Sequence, residues 1–461
     1  MSNPRRNLAY ALLAASCLLA PQAASAAADR EAQLEARLQR LEAEMTQLRA
    51  DLAGARQEQA ASAAQAQTAI AKSEETASKL AASESKPQQD GFKSGNTTIK
   101  LGGYLKMIAA SSHFSDGEVA TNSLGRDFYL PQAIPTGDGP SQHVEDFTAK
   151  QTRLWLNLDS AISGHAVKGY LEVDFQTSPG TQGSQRTTNG YNLALRRAWL
   201  QVDRWTFGQD WSTFQYVGAL PESTDFVGPT EGTVFVRQPL VRYTAKLTPA
   251  LALSVSAENA ESATISSTSP TLTENDDDRL PDFAARLTYT APFGELSLAG
   301  LFRQLSVDNG TVSDKAAAWG ISAAGKIMFG PEKRHDLRFM ATYGDGIGRY
   351  VGLNFAPDAV YDSLTGSELE TVKTFAALAA LKLGWTPTLR STFMAGYQNA
   401  SYPSPAPLTA NDKAWSLAAN LFWSPVKALD LGVEYRHGER ELLNGLAGQL
   451  NRLEFAAKYN F

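Results

Sequence analysis

The 461-residue sequence contains one cysteine, Cys17, so no disulfide can form within the chain. It contains no run of about 20 apolar residues, the length a membrane-spanning helix needs. Hydropathy therefore gives no sign of a helical membrane protein, and it is silent on a barrel, whose strands signal weakly one by one. Positive charge is not in excess, since 42 Lys and Arg stand against 48 Asp and Glu, which argues against nucleic acid as a partner. His113, His143, His165, His335 and His437 are scattered without metal-ligand spacing, and no G-x-S-x-G motif occurs. An outer-membrane hydrolase would need a Ser–His pair on neighbouring strands, which a linear sequence does not display. The acids Asp276, Asp277 and Asp278 lack the spacing of a calcium-binding EF-hand and read as a solvated loop tip. Gly344, Gly346 and Gly348 precede no helix start, so they read as an outer loop and not a phosphate cradle. No enzyme, metal or cofactor is expected.

What is present begins with a leader. Arg5 and Arg6 precede the apolar stretch from Leu8 to Ala20, and Ala24-Ser25-Ala26 offers a small-residue cleavage site. Residues 1–26 therefore read as a secretory signal, with Ala26-Ala27-Ala28 as the neighbouring choice. A lipoprotein signal at Cys17 would call for Leu three residues earlier, where Ala14 stands. Cleavage removes Cys17, Arg5 and Arg6 and takes the net charge from −6 to −8. Residues 27–86 read as a coiled-coil helix: Leu34, Leu38, Leu41, Met45, Leu48, Leu52 and Ala55 recur at steps of four and three. A stripe that narrow needs partner helices, most simply in a trimer. Pro87 and the polar stretch to residue 96 then act as a linker.

From residue 97 to 461 the texture changes to period two. Leu154, Leu156 and Leu158 alternate with Arg153, Asn157 and Asp159; Leu429, Leu431, Val433 and Tyr435 alternate with Asp430, Glu434 and Arg436. Pro249, Pro292, Pro331, Pro387 and Pro425 mark one recurring hairpin turn. The connections between these turns are long and polar. Short turns at one end and long loops at the other describe a transmembrane barrel. We count about 16 antiparallel strands, enough to leave an aqueous lumen. Trp205, Phe293, Phe329, Trp385, Trp423 and Phe461 gather beside the tight turns as an interfacial girdle. The fold class is thus an all-β transmembrane barrel preceded by an α-helical coiled coil.

With the apolar parity facing lipid, the polar parity lines the pore. Its cations include Arg153, Lys168, Arg197, Arg242, Lys246, Arg286, Arg303 and Arg338, and the inward set counts thirteen bases against nine acids. A net positive lumen favours anions, although some of these charges will pair across strands and only hold the wall. One connection, from about Trp211 to Val234, is both long and aromatic. Trp211, Phe214 and Tyr216 supply apolar feet, and Glu222 and Asp225 supply polar groups, so we expect it to fold into the lumen as the constriction loop. An external surface loop is the alternative.

The strings GGYLKM at 102–107, RLWLNL at 153–158, LRRAWLQV at 195–202, FGQDWSTF at 207–214 and the final FAAKYNF resemble the DcaP-like porins of Gram-negative outer membranes. The resemblance spans the whole mature chain. It implies a homotrimer of sixteen-stranded barrels with a periplasmic coiled coil, passing small anionic solutes such as dicarboxylates. Phosphate-selective or general sugar-type porins are the neighbouring possibility, and a coiled-coil-anchored structural protein with a plugged barrel is the competing class. In outer-membrane proteins generally, an aromatic end such as Phe461 resembles the signal read by the barrel assembly machinery. The expected location is the outer membrane, with the N-terminal helix in the periplasm.

Overall fold

The computed structural model describes residues 91–461 except 177–189, 311, 365–367 and 404–405, together with scattered positions between 37 and 54. The chain divides into two units, Met1–Gln89 and Asp90–Phe461. In the first, every described position is helical and exposed. The Thr46 hydroxyl donates to the Glu42 carbonyl at 2.8 Å, as one helical turn requires. The expected leader and the heptad positions other than Met45 lie outside the described residues.

The second unit is a closed barrel. Its wall strands are β1 (Thr97–Phe114), β2 (Gln142–Thr148 continued by Arg153–Ile162), β3 (His165–Asp174), β4 (Ala194–Val202), β5 (Trp205–Trp211), β6 (Arg237–Lys246), β7 (Leu251–Glu258) and β8 (Asp282–Ala291). There follow β9 (Gly294–Asp308), β10 (Ser313–Phe329), β11 (His335–Asp345), β12 (Lys373–Gly384), β13 (Leu389–Ser401), β14 (Asn411–Val426), β15 (Leu429–Leu442) and β16 (Ala447–Asn460). Every neighbouring pair is antiparallel, and β1 closes the ring against β16 from Tyr104↔Asn460 to Phe114↔Leu450. Closure leaves no edge of unpaired amides in the lipid.

The alternating C-terminal stretch 453–461 calls for a partner on the first strand, expected near 99–108; the seam instead lies higher on β1, at 104–114. Below Tyr104 the strand runs past the end of β16, and the short strand Phe92–Ser94 folds back on Thr97–Ile99. That strand falls inside the expected linker. Residues 149–152 interrupt β2, and the Thr152 hydroxyl repairs the ladder by accepting the Lys106 amide at 3.1 Å.

Alternation explains the wall. Outward positions are large and apolar: Leu101 is 63% exposed, Phe302 56% and Phe455 52%, as a lipid-facing surface requires. Trp205, Phe293, Phe329, Trp385, Trp423 and Phe461 all lie exposed beside the inner turns. Four of the marker prolines sit in those turns. Pro425 instead sits at the register shift between Trp423 and Val426, where a missing amide costs the ladder nothing. The outer connections include two short ones, 309–312 and 443–446, so length sorts the two ends only in the main. Above the barrel, Ala263–Ser266, Ser269–Glu274, Ala359–Tyr361 and Glu370–Thr371 form a second small sheet.

Candidate functional site

The lumen wall of β2 to β6 carries a row of arginines. Arg153 of β2 reaches Asp174 at 3.3 Å and Glu172 at 3.4 Å. Arg197 meets Asp210 at 2.6 Å, and Arg242 meets the other oxygen of Asp210 at 2.8 Å. Between them, β4 bulges: Glu172 pairs with Arg197 while Val173 pairs with Leu195, so Arg196 is the extra residue. A bulge turns two consecutive side chains to one face, and Arg196 joins Glu172 at 2.9 Å and Asp174 at 2.5 Å. Strict period two assigns Arg196 to lipid and so misses it. The doubled arginine in LRRAW is the signal that a break in alternation is needed, because a guanidinium does not stand in hydrocarbon.

The order of exposure along this wall decides its character. Arg153, Arg197 and Arg242 side chains are 18%, 21% and 12% exposed, whereas Glu172, Asp174 and Asp210 are 7%, 0% and 7% exposed. The carboxylates lie behind, and the guanidinium groups front the water. An aromatic pair holds the front layer in place, since Arg197 stacks 4.6 Å from the centroid of Tyr170, itself stacked on Trp199; Arg196, only 2% exposed, lies in the buried layer 4.9 Å from Phe226.

Residues 212–236 fold into the barrel and cross to the far wall. Phe214 and Tyr216 are buried in a cluster with Ala284, Ala299, Leu301, Ala324, Met340, Ala376 and Leu378 of β8 to β12. Those wall positions point inward and are apolar because the segment covers them; small alanines leave it room. Gly232 is demanded by close approach, since a Cβ there would strike the Ala377 carbonyl. Polar wall groups then pin the backbone. Arg286 donates to the carbonyls of Thr213 and Gln215, and Arg338 to that of Leu220. Lys106 Nζ donates to the Thr224 carbonyl at 2.6 Å, and Glu434 accepts from the Ser223 hydroxyl at 2.7 Å. Glu222 takes the guanidinium of Arg390 in a fork at 2.6–2.9 Å. Burial by itself would raise the Glu222 carboxyl, but Arg390 outweighs it and holds the group below the ordinary glutamate range. Asp225 accepts the Tyr129 amide, and burial pushes its carboxyl up.

The cations singled out in the sequence thus separate into four sets. Arg153, Arg197 and Arg242 stand together on the wall, and Arg286 and Arg338 are spent on the inward segment. Lys168 and Lys246 lie on the lumen face near the inner turns, with no ion pair among the described residues. Arg303 departs from its expected place at the water: it is 1% exposed, locked to Asp282 and Asp358 at 2.9 Å each. Two further N–H groups go to the carbonyls of Gly346 and Glu261, so it fastens two outer loops to β9. Trp211 ends β5 instead of opening the loop. Phe461 sits at the seam, its amide and carbonyl bonded to Gly103 at 3.1 Å each. Among the described residues no group of His, Cys, Asp or Glu fits a metal.

Between the segment's tip and the wall lies a cavity of about 270 Å³, lined by Tyr104, Lys106, Arg153, Lys458, Glu222 and Phe226 among others. The family model for the DcaP outer membrane protein matches residues 55–461, starting where the heptad stretch ends. The chain belongs to the DcaP family. The outer membrane channel DcaP of Acinetobacter baumannii is 28% identical and aligns over 80% of this chain and 99% of its own, with a TM-score of 0.67. Barrels of other kinds are more distant. OmpT of Vibrio cholerae is 11% identical over 80% of this chain and 99% of its own, with a TM-score of 0.48. OmpF of Salmonella typhi is 13% identical over 79% and 98%, with a TM-score of 0.46. No curated protein matches. Membership makes the chain an outer-membrane channel protein, and the sixteen-stranded wall is the DcaP fold.

Proposed function

We propose that this DcaP-family barrel is a passive diffusion pore preferring small organic anions such as dicarboxylates, with residues 212–236 as its constriction. The observation that carries the reading is the layering of the β2–β6 wall, where partly exposed guanidinium groups stand in front of more deeply buried carboxylates. In a narrow water column with low-dielectric walls, the accessible charge sets the sign of the field. A dianion gains from several such groups at once, whereas a neutral sugar gains from none. The aromatic rings beside the arginines offer a face to the carbon skeleton.

The rest of the reading is assembly. Residues 1–26 are removed on export, residues 27–86 form a periplasmic coiled coil, and three chains associate. The helical described positions between 37 and 54 and the heptad spacing support this. Phe461 serves as the mark read by the barrel assembly machinery.

Reversal potentials across a salt gradient test the sign. An anion-selective potential that shrinks in Arg153→Ala and Arg197→Ala is expected, and a cation-selective one refutes the proposal. Permeation of mono- and dicarboxylates against neutral sugars separates this pore from a general one. Absence of conductance from purified protein favours a structural barrel.

A further inference from the structure

The fixed charge of the barrel is not spread evenly along its axis. The outer connections at 115–141, 175–193, 259–281, 309–312, 346–372, 402–410 and 443–446 carry thirteen carboxylates and four arginines. The inner turns at 163–164, 203–204, 247–250, 292–293, 330–334, 385–388 and 427–428 carry two acids and four bases. Glu274, Asp276, Glu368 and Glu370 are exposed on the outer loops.

The lumen continues the gradient at its inner end. Lys168, Lys246, Lys326 and Lys458 each stand within four residues of the inner end of their strands. All lie on the inward parity. Lys168 shares its face with buried Glu172 and Asp174, and Lys326 with Ser322 and Ala324. Lys246 follows Arg242, and Lys458 follows Glu454 and Ala456. None has a side-chain hydrogen bond or ion pair among the described residues; the Lys458 ammonium lies 4.7 Å over the Tyr104 ring and lines the cavity. Asp159, Glu295 and Asp430 stand opposite Lys168, Lys326 and Lys458 on the neighbouring strands without closing to a salt bridge, and Lys246 faces no such carboxylate, so these ammonium groups stay open to the water while Arg303 and Arg436 are locked into buried ion pairs.

From this separation we infer that the channel conducts asymmetrically: an acidic outer vestibule in series with a basic inner one makes it a rectifier of ionic current. The inference rests on the reading of the barrel as an open pore. Cations are the majority carrier in the outer half and anions in the inner half. A voltage positive on the loop side drives both majority carriers toward the junction and fills it. The opposite voltage empties the junction and lowers the conductance. The consequence for a solute is that the inner mouth concentrates anions while the outer mouth repels them, so Lys168, Lys246, Lys326 and Lys458 determine anion affinity more than the loop-bound arginines do. Screening limits the effect, because the fields reach about 10 Å at 0.1 M salt and about 3 Å at 1 M.

The test is the current–voltage curve of the purified full chain in a planar bilayer. Sidedness is read from the chamber in which a bulky thiol reagent perturbs Leu408→Cys, an exposed outer-loop position. At salt near 0.1 M the current is expected to be about twofold larger when the loop side is positive, falling to parity near 1 M. Lys168→Gln with Lys246→Gln and Lys326→Gln should flatten the curve. So should Glu274→Gln, Asp276→Asn, Glu368→Gln and Glu370→Gln together, a set on exposed loops that leaves the wall intact. A linear low-salt curve for the unaltered chain overturns the inference, as does rectification that survives both sets. Anion selectivity is read separately from the reversal potential, so a linear but anion-selective pore refutes the rectifier and spares the function proposed above.

Discussion

Replacing Arg303 with Ala separates holding the wall from attracting anions. The guanidinium is 1% exposed and bonds Asp282, Asp358 and the carbonyls of Gly346 and Glu261. Its loss leaves two carboxylates with no ion-paired cation in a water-poor site. Asp282 keeps the Tyr350 hydroxyl at 2.7 Å, and Asp358 keeps the amides of Ala263 and Arg349 at 3.0 and 2.9 Å. Breaking a buried pair from one side costs about 3–5 kcal/mol, and these surviving bonds place the expected loss toward the lower end of that range. Denaturant unfolding in detergent should show the destabilisation. Limited proteolysis should show loops 259–281 and 346–372 cut sooner, because both lose their tie to β9. The reversal potential should stay where it was, since Arg303 does not front the water. If Arg303→Ala instead shifted selectivity as much as Arg197→Ala while leaving stability unchanged, the division between structural and pore-fronting arginines would be wrong.

Three further outcomes are expected. Glu222→Ala removes a charge-assisted fork worth about 1.5–3 kcal/mol, so open-channel noise should rise about tenfold while mean conductance changes little; quiet traces would show that the other anchors suffice. The same anchor should weaken in acid. The Glu222 carboxyl in the docked loop is held below its free value, so the docking free energy it supplies is complete above the free pKa of about 4.3 and lost as pH falls through the docked one. Noise should therefore climb below about pH 4 in the unaltered chain and be pH-independent there in Glu222→Ala. Deleting Phe461 removes two seam hydrogen bonds to Gly103 and the terminal ring, so surface levels should fall several-fold while channels that do insert conduct normally; undiminished levels would count against an assembly role.

Most of the barrel was legible in the chain because a strand's two faces meet different solvents, and period two records that directly. Sixteen segments, the inner turns and the aromatic girdle follow from that single rule. The site was legible only in part. Arg153, Arg197 and Arg242 appear by parity, and the aromatic connection from about Trp211 to Val234 stands out by length. Parity hides Arg196, because a bulge breaks the very periodicity on which the reading depends. It also cannot distinguish Arg303 from Arg197, since both point inward and only the loops above decide which is sealed.

The sequence by itself determined the local alternation, the turn positions and the sign of charge on each segment, because these depend on neighbours along the chain. Tertiary structure decided which arginine faces water, which carboxylate hides behind it and which cation is consumed in pinning residues 212–236. Those outcomes depend on contacts between strands and loops far apart in the chain. Glu222 and Arg390, 168 positions apart, become one anchor only after the barrel has closed, and no spacing rule reaches that far.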